Sequence, residues 1–405
     1  MKKIMILICV CLLSAACILT VACTKKENSA KPAEKLTLWI YDNGRIGALT
    51  ELGKNFETEY GIPVEVSLVD LGQIRNQFLL ASGGDDCADI AIIPHDNLGP
   101  LVENSAVTEI NPGGKRGSFL QPALEGFTYN GKLYGLPLSV ENIGFFYNTE
   151  MVVQPPETWD EAVAIASGLI RAGKAEFMCG LADATYNCYP VYDSFGGTIF
   201  GKKADGSPDG KKIAISDPGF TEGLEFLTGL VKQKLIPETI DWDAAHVLFE
   251  SGKAPFIFTG PWALNRFKVA GVPYGIGKFP SAGKDKPEGN PFLGVQGIIV
   301  SAASPRRLLA QAFAVDFIAR EDNMMTLFKA DGRPSAWKTI FENSPDSDTM
   351  GFNAAGVNAV PMPSIPEMGH VWDAWVAAAA LAFSGERTPA QALQNARVQI
   401  ESMGN

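Results

Sequence analysis

Histidine is scarce in this sequence, with three among 405 residues, and cysteine is scarce beyond position 23. His95, His246 and His370 fall at no spacing that a metal site uses, so no metal is expected. Only Cys87, Cys179 and Cys188 follow Cys23, too few for a disulfide framework. Cys179 and Cys188 either pair in an oxidising compartment or stay as buried thiols, and both readings remain open. Basic excess is also missing. The formal net charge is −11, and no basic cluster interrupts it, which excludes a nucleic-acid partner. Beyond Cys23 no apolar run approaches the roughly 18 residues that a membrane-spanning helix needs. There is no Gly-x-Ser-x-Gly elbow and no His-Glu-x-x-His helix. The nearest thing to a phosphate loop, Gly275-Ile276-Gly277-Lys278, is followed by Phe279 instead of Ser or Thr. No enzyme activity and no cofactor is expected, and any ATP hydrolysis would belong to a separate protein.

What is present begins at the amino terminus. Lys2 and Lys3 precede an uninterrupted apolar run from Ile4 to Ala22, the pattern of a secretory signal. The run closes in Thr20-Val21-Ala22-Cys23, which resembles the lipobox of bacterial lipoproteins with Cys23 lipidated as the new N-terminus. Thr20 stands where leucine is usual. Ser14-Ala15-Ala16-Cys17 is a second candidate, but Ile18 to Ala22 is too apolar for a mature start. An uncleaved membrane anchor is the alternative. Residues 24–35 form a polar tether, leaving roughly 380 residues in the mature chain, enough for two or three domains.

Leu36 to Ile40 reads as a strand and closes in a polar turn, Tyr41-Asp42-Asn43-Gly44-Arg45. Leu49, Leu52, Phe56 and Tyr60 follow at helical spacing, and Gly61 stops that helix. Ile62 to Leu68 alternates as a strand; Leu71, Ile74 and Phe78 mark a helix ended by Gly83-Gly84. Asp89 to Ile93 is a third strand, with Pro94-His95-Asp96-Asn97 at its carboxyl end. This alternation predicts right-handed crossovers and a parallel sheet with both polar turns on its ligand-binding edge. Further along come the Asn130-Gly131-Lys132 hairpin turn, the extended run Gly135–Glu141, the strand Gly144–Asn148 and a capping box Thr158-Trp159-Asp160-Glu161. Lys202 to Lys212 reads as a charged loop and Gly271 to Gly289 as a loop around one strand near Tyr274. Ser304-Pro305 opens a helix running to Ala319, and two last helices cover roughly His370–Phe383 and Pro389–Met403.

The chain is organised around Ser251–Trp262. Ser251-Gly252 stops a helix, Ala254–Phe258 is a short apolar strand, and Gly260-Pro261-Trp262 sets an aromatic plate at its carboxyl end. The competing reading is that Trp262 belongs to the core.

Taken in order, Leu38-Trp39-Ile40, Asn130-Gly131-Lys132-Leu133, Tyr147-Asn148, Gly260-Pro261-Trp262, Pro291–Val295, Ala302–Pro305 and Met362–Met368 resemble bacterial ABC-transporter solute-binding proteins, specifically the maltose/maltodextrin-binding branch. The resemblance implies an α/β, two-lobed periplasmic-binding-protein fold (type II), each lobe a mainly parallel sheet flanked by helices. One lobe takes residues 36–140 plus 297–343 and the other 141–292 plus 349–405. Three hinge crossings fall near 139–143, 292–297 and 343–350. It also implies a monomeric, membrane-anchored lipoprotein outside the cytoplasm, in the periplasm or on the outer face of the cell membrane. There it would hand an oligosaccharide to ABC permease subunits served by a separate ATPase.

Carried over residue by residue, Asp96 and Glu141 match sugar-binding carboxylates, Trp262, Trp372 and Tyr186 match aromatic plates, and Met362 matches a cleft position. Asn43 and Arg45 are weaker members of the ligand-binding set. Asn43-Gly44 stands where the family has Asp-Lys, Ile93 where it has tryptophan, and Asn97 and Val376 where it has arginines. The chemistry suits a pyranoside, whose C–H faces lie on aromatic rings and whose hydroxyls donate to carboxylates. The departures leave another sugar, a different small solute, or a surface sensor or adhesin as alternatives. Asp96 with Glu141 also matches the carboxylate pair of glycoside hydrolysis, but the two would come from different lobes.

Overall fold

The computed structural model describes residues 35–81, 87–181, 183–239, 241–344 and 346–403. The candidate anchors Cys23 and Cys17 and the Gly83-Gly84 stop lie outside the described residues. Among the described residues no helix is long and apolar enough to cross a membrane.

Strand β1 (Leu36–Ile40) buries every second side chain and runs parallel to β2 (Val64–Leu68) and β3 (Ile90–Pro94). Helix α1 (Asn43–Tyr60) and helix α2 (Leu71–Ala81) are the crossovers. Asp42 caps α1 by accepting the Gly44 N–H at 2.7 Å, and Gly61, at φ 73°, ends it. Two later strands complete the sheet. β4 (Gly135–Glu141) is wholly buried, and β9 (Phe292–Val300) lies between β3 and β4, antiparallel to both. The sheet is therefore mixed.

The second sheet departs further from the expected parallel arrangement. β5 (Gly144–Asn148) sits between β7 (Phe256–Thr259) and β8 (Tyr274–Gly277), antiparallel to each; only β6 (Cys179–Gly180), beside β7, pairs in parallel. β7 and β8 are joined by the helix Leu264–Ala270 and end up on opposite sides of β5. The centre of the sheet is thus a strand of opposite direction. A two-residue strand, β10 (Val360–Pro361), adds to the Phe292 end of β9.

The apolar side chains separate into two large cores. One holds β1–β4, most of β9 and residues out to Ile340; the other runs from Ile143 to Phe292 and from Met362 to Ile400. A smaller cluster joins Phe146, Phe267 and Phe352. The chain therefore passes between the large cores around Glu141–Ile143, along β9, and between Ile340 and Met362.

Other sequence expectations need correction. Lys202–Lys212 belongs to a hairpin, Phe200–Lys202 with Pro208–Ile213, and Gly271–Gly289 contains three short strands where one was expected. The helix after Pro305 begins at Arg307 and widens into π-type turns over Ala312–Ile318, where the Lys115 ammonium binds the Val315 carbonyl at 2.6 Å. Glu161 turns its carboxylate to the Glu157 N–H instead of that of Thr158. Residues 347–355, partly within the expected third hinge, are helical. Cys179 and Cys188 are free thiols.

Candidate functional site

The turns after β1 and β3 lie on one edge of the first sheet, because the strands that end there are parallel. Glu141 closes β4 beside them, opposite Gly294 of β9. Its Oε1 accepts from Gln296 Nε2 at 2.9 Å, and its Oε2 accepts from Arg333 Nε at 2.7 Å. Arg333 follows the helix Glu321–Asp331, which stops at Gly332 with φ 71°. The same guanidinium binds Asp42 and Asp331 through Nη1. Asp331 in turn pairs with Arg45 at 2.7 Å.

This ionic cluster is almost dry. Arg45 is 1% exposed and Arg333 3%. Burial alone would raise the Asp331 carboxyl, but Arg45 and Arg333 hold it below the usual carboxylate range. Burial likewise disfavours the Arg333 charge, and Glu141, Asp331 and Asp42 outweigh it. Tyr41, next to Asp42, is pushed far above the ordinary phenol range by burial and then by Glu141.

The second core supplies the aromatic wall. Gly260-Pro261-Trp262 turns directly after β7, and the Trp262 indole folds back over Gly260, where a Cβ would overlap the ring. The Arg333 guanidinium lies 5.7 Å from the centre of that indole. Tyr186 sits 6.3 Å from Trp262 and 6.4 Å from Trp372, ring centre to ring centre. Trp372 stacks nearly flat on the buried Trp375, at 5.9 Å and 11°. Asp183 holds the Tyr186 turn by accepting the Thr185 N–H at 2.7 Å and the Thr185 hydroxyl at 2.8 Å.

Asp96 meets this wall. Trp372 Nε1–H donates to its Oδ2 at 3.0 Å, and Asn97 Nδ2 donates to its Oδ1 at 3.2 Å. Burial raises the Asp96 carboxyl, against the influence of His95 and Trp372. His95 accepts the Val295 N–H on Nδ1 at 3.0 Å, so Nε2 carries the proton it shares with the Met362 carbonyl at 2.8 Å. Met362 thus enters through its backbone as well as its buried side chain. Burial keeps His95 below the ordinary imidazole range.

Asp96, Glu141, Tyr186, Trp262, Trp372 and Met362 are therefore drawn into one region. Asn43 and Arg45 are not alike. Asn43 opens α1 and is exposed, whereas Arg45 is sealed behind the site against Asp331. Tyr41, Asp331, Arg333 and Gln296 join this region without being expected there from the sequence. Gln296 carries a signal, as the lone polar side chain in the apolar run of β9. Asp331-Gly332-Arg333 reads only as a helix stop, and nothing local announces contact with Glu141, 192 residues away.

Charged acceptors and aromatic rings thus lie in one region, a combination that matches hydroxyl donors and C–H faces in one ligand. Among the described residues no group of His, Cys, Asp or Glu is placed to hold a metal ion. The chain belongs to the bacterial extracellular solute-binding proteins, whose family model matches residues 51–351. It is 29% identical to a galactooligosaccharide-binding protein of Bacillus subtilis, over 93% of this chain and 91% of that protein. It is 27% identical to a maltooligosaccharide ABC transporter solute-binding lipoprotein of Streptococcus pneumoniae, over 88% and 87%. A maltodextrin-binding protein of Bacillus subtilis is 25% identical over 87% and 86%.

Proposed function

We propose that the protein is the extracytoplasmic receptor of an oligosaccharide importer, taking up a maltose- or maltodextrin-like sugar and delivering it to an ABC permease. It acts as a binding protein and not as an enzyme. The observation that carries this reading is the convergence of Trp262, Tyr186 and Trp372 from one core with Asp96 and Glu141 at the edge of the other. The two cores act as lobes, residues 36–140 with 297–343 and residues 141–292 with 349–405. Hinges near 139–143, 292–297 and 343–350 let them close on the sugar, a motion known for this class of protein. Lipid on Cys23 would keep the monomeric receptor at the membrane, each buried CH₂ contributing about 0.8 kcal/mol.

A galactooligosaccharide is the second reading, favoured by the name of the relative at 29% identity. Thermal unfolding of residues 24–405 with maltotriose and with β-1,4-galactotriose separates them. A ligand at a hundred times its dissociation constant adds about 2.7 kcal/mol to stability. A shift with maltotriose alone supports the maltodextrin reading, and a shift with galactotriose alone replaces it. Trp262→Ala is expected to weaken the binding sugar at least about tenfold, or about 1.4 kcal/mol. Unchanged affinity removes Trp262 from the site.

A further inference from the structure

The carboxylates of the site account for the hydroxyl hydrogens of a sugar but leave its acceptor oxygens unread. Arginine carries five N–H donors in a rigid fork. In Arg333 the Nε–H goes to Glu141, and Nη1 serves both Asp42 and Asp331. Nη2 makes no hydrogen bond among the described residues. Two N–H groups therefore remain on a guanidinium fixed 5.7 Å from the Trp262 indole.

Two phenols flank this point. A Cβ built on Gly294 would lie 3.3 Å from the Glu141 side chain and 3.7 Å from the Tyr186 hydroxyl, so the two groups share one small space. Tyr41 adjoins Asp42, the carboxylate that binds Arg333 Nη1, and Glu141 and Arg333 both act on its phenol. Neither phenol hydroxyl makes a hydrogen bond among the described residues.

The charges nearby set a second limit. Three carboxylates, Asp42, Glu141 and Asp331, surround two guanidiniums, Arg45 and Arg333, an excess of one negative charge. An isolated arginine beside an aromatic plate would attract a uronate or a phosphate. This one is already matched, and an anionic ligand brought to it meets net repulsion in surroundings that screen little.

Resting on the reading of this region as a sugar site, we infer that Arg333, flanked by Tyr41 and Tyr186, is its specificity-determining residue. Arg333 Nη2 donates to an acceptor oxygen of the sugar ring lying on Trp262. The carboxylates that hold the guanidinium confine that sugar to uncharged glycosides.

Titration calorimetry tests this with the wild type, Arg333→Lys, Tyr41→Phe and Tyr186→Phe. The probes are maltotriose, β-1,4-galactotriose, trigalacturonate, and monodeoxy derivatives of whichever neutral trisaccharide binds. We expect the wild type to bind one neutral trisaccharide and to lose about tenfold or more on one monodeoxy derivative. Arg333→Lys should bind the parent about tenfold more weakly and no longer distinguish that derivative, a change that a purely structural role would not produce. Each phenylalanine variant should lose affinity without losing fold, which keeps the inference testable if Arg333→Lys is unstable. Undiminished discrimination in Arg333→Lys, or unchanged affinity in both phenylalanine variants, overturns it. Trigalacturonate bound as tightly as a neutral sugar overturns the charge limit. A wild type that binds neither neutral trisaccharide sinks the sugar-site reading itself, whereas a binding wild type with indifferent variants sinks only the role of Arg333.

Discussion

Trp372 and Asp96 stand 276 positions apart in the chain and share a 3.0 Å hydrogen bond between indole and carboxylate. The tryptophan packs on one core and the aspartate sits in the turn that leaves the other. With the His95–Met362 hydrogen bond, this contact ties the two halves of the molecule at the site itself. Trp372→Phe keeps an aromatic ring over Trp375 and removes the donor together with part of the indole. Asp96, 6% exposed, is left with its Asn97 contact. We expect a loss of about 1–3 kcal/mol in urea unfolding, since a buried acceptor has lost a partner. The Asp96 carboxyl should also titrate at higher pH than in the wild type, because the lost donor favoured its charged form. Carboxyl-resolved NMR titration reads that shift, and an unmoved Asp96 would separate the two residues in solution.

Gly260 is where the Trp262 ring rests. A methyl group there overlaps the indole, so the plate must rotate away. Gly260→Ala should therefore weaken sugar binding about as much as Trp262→Ala while the far-ultraviolet circular dichroism stays unchanged. Retained affinity would mean that the sugar does not use the Trp262 indole.

Arg45 neutralises Asp331 from behind, at 1% exposure. Arg45→Met leaves a buried carboxylate with one cation in place of two and should cost about 3–5 kcal/mol. The urea midpoint should fall while the slope of the transition holds. A drop below about 1 kcal/mol would show that Arg333 alone suffices for Asp331.

His246 brings pH into stability. Burial depresses its imidazole to about 4, and its Nδ1 and Nε2 are engaged by the Trp242 carbonyl at 2.7 Å and the Thr259 hydroxyl at 3.0 Å. The unfolded chain binds this proton near pH 6.5 and the folded chain only near 4, so stability is full above 6.5 and falls as the pH drops between those values. At pH 5 the loss is about 2 kcal/mol. Unfolding midpoints at pH 7 and pH 5 should differ accordingly, and His246→Gln should narrow the difference. An equal fall in the variant would assign the effect to other groups.

Much of this was legible in the sequence for identifiable reasons. The apolar strands and heptad-spaced helices between Leu36 and Pro94 gave the parallel crossovers, and the polar turns after Ile40 and Ile93 do share an edge. The second sheet was harder to read because its strands run two to five residues and carry no alternation. Asn43 and Arg45 show another limit. Two helical residues two positions apart point about 200° from one another, so one faces solvent and the other Asp331. Whether Arg45 meets sugar or carboxylate depends on a residue 286 positions later. Arg333 illustrates the same point, since its partners Asp42 and Glu141 lie 291 and 192 positions away.

Strand β9 carries a consequence for how the chain matures. It fills the slot between β3 and β4, so a sheet begun at Leu36 stays incomplete until residues 292–300 arrive. Pairings this distant in sequence form late and slowly. A ribosome, or a channel threading the chain from its amino terminus, has released some three-quarters of the polypeptide before the first core can close. Until then β3 and β4 each keep an unpaired edge awaiting one insertion.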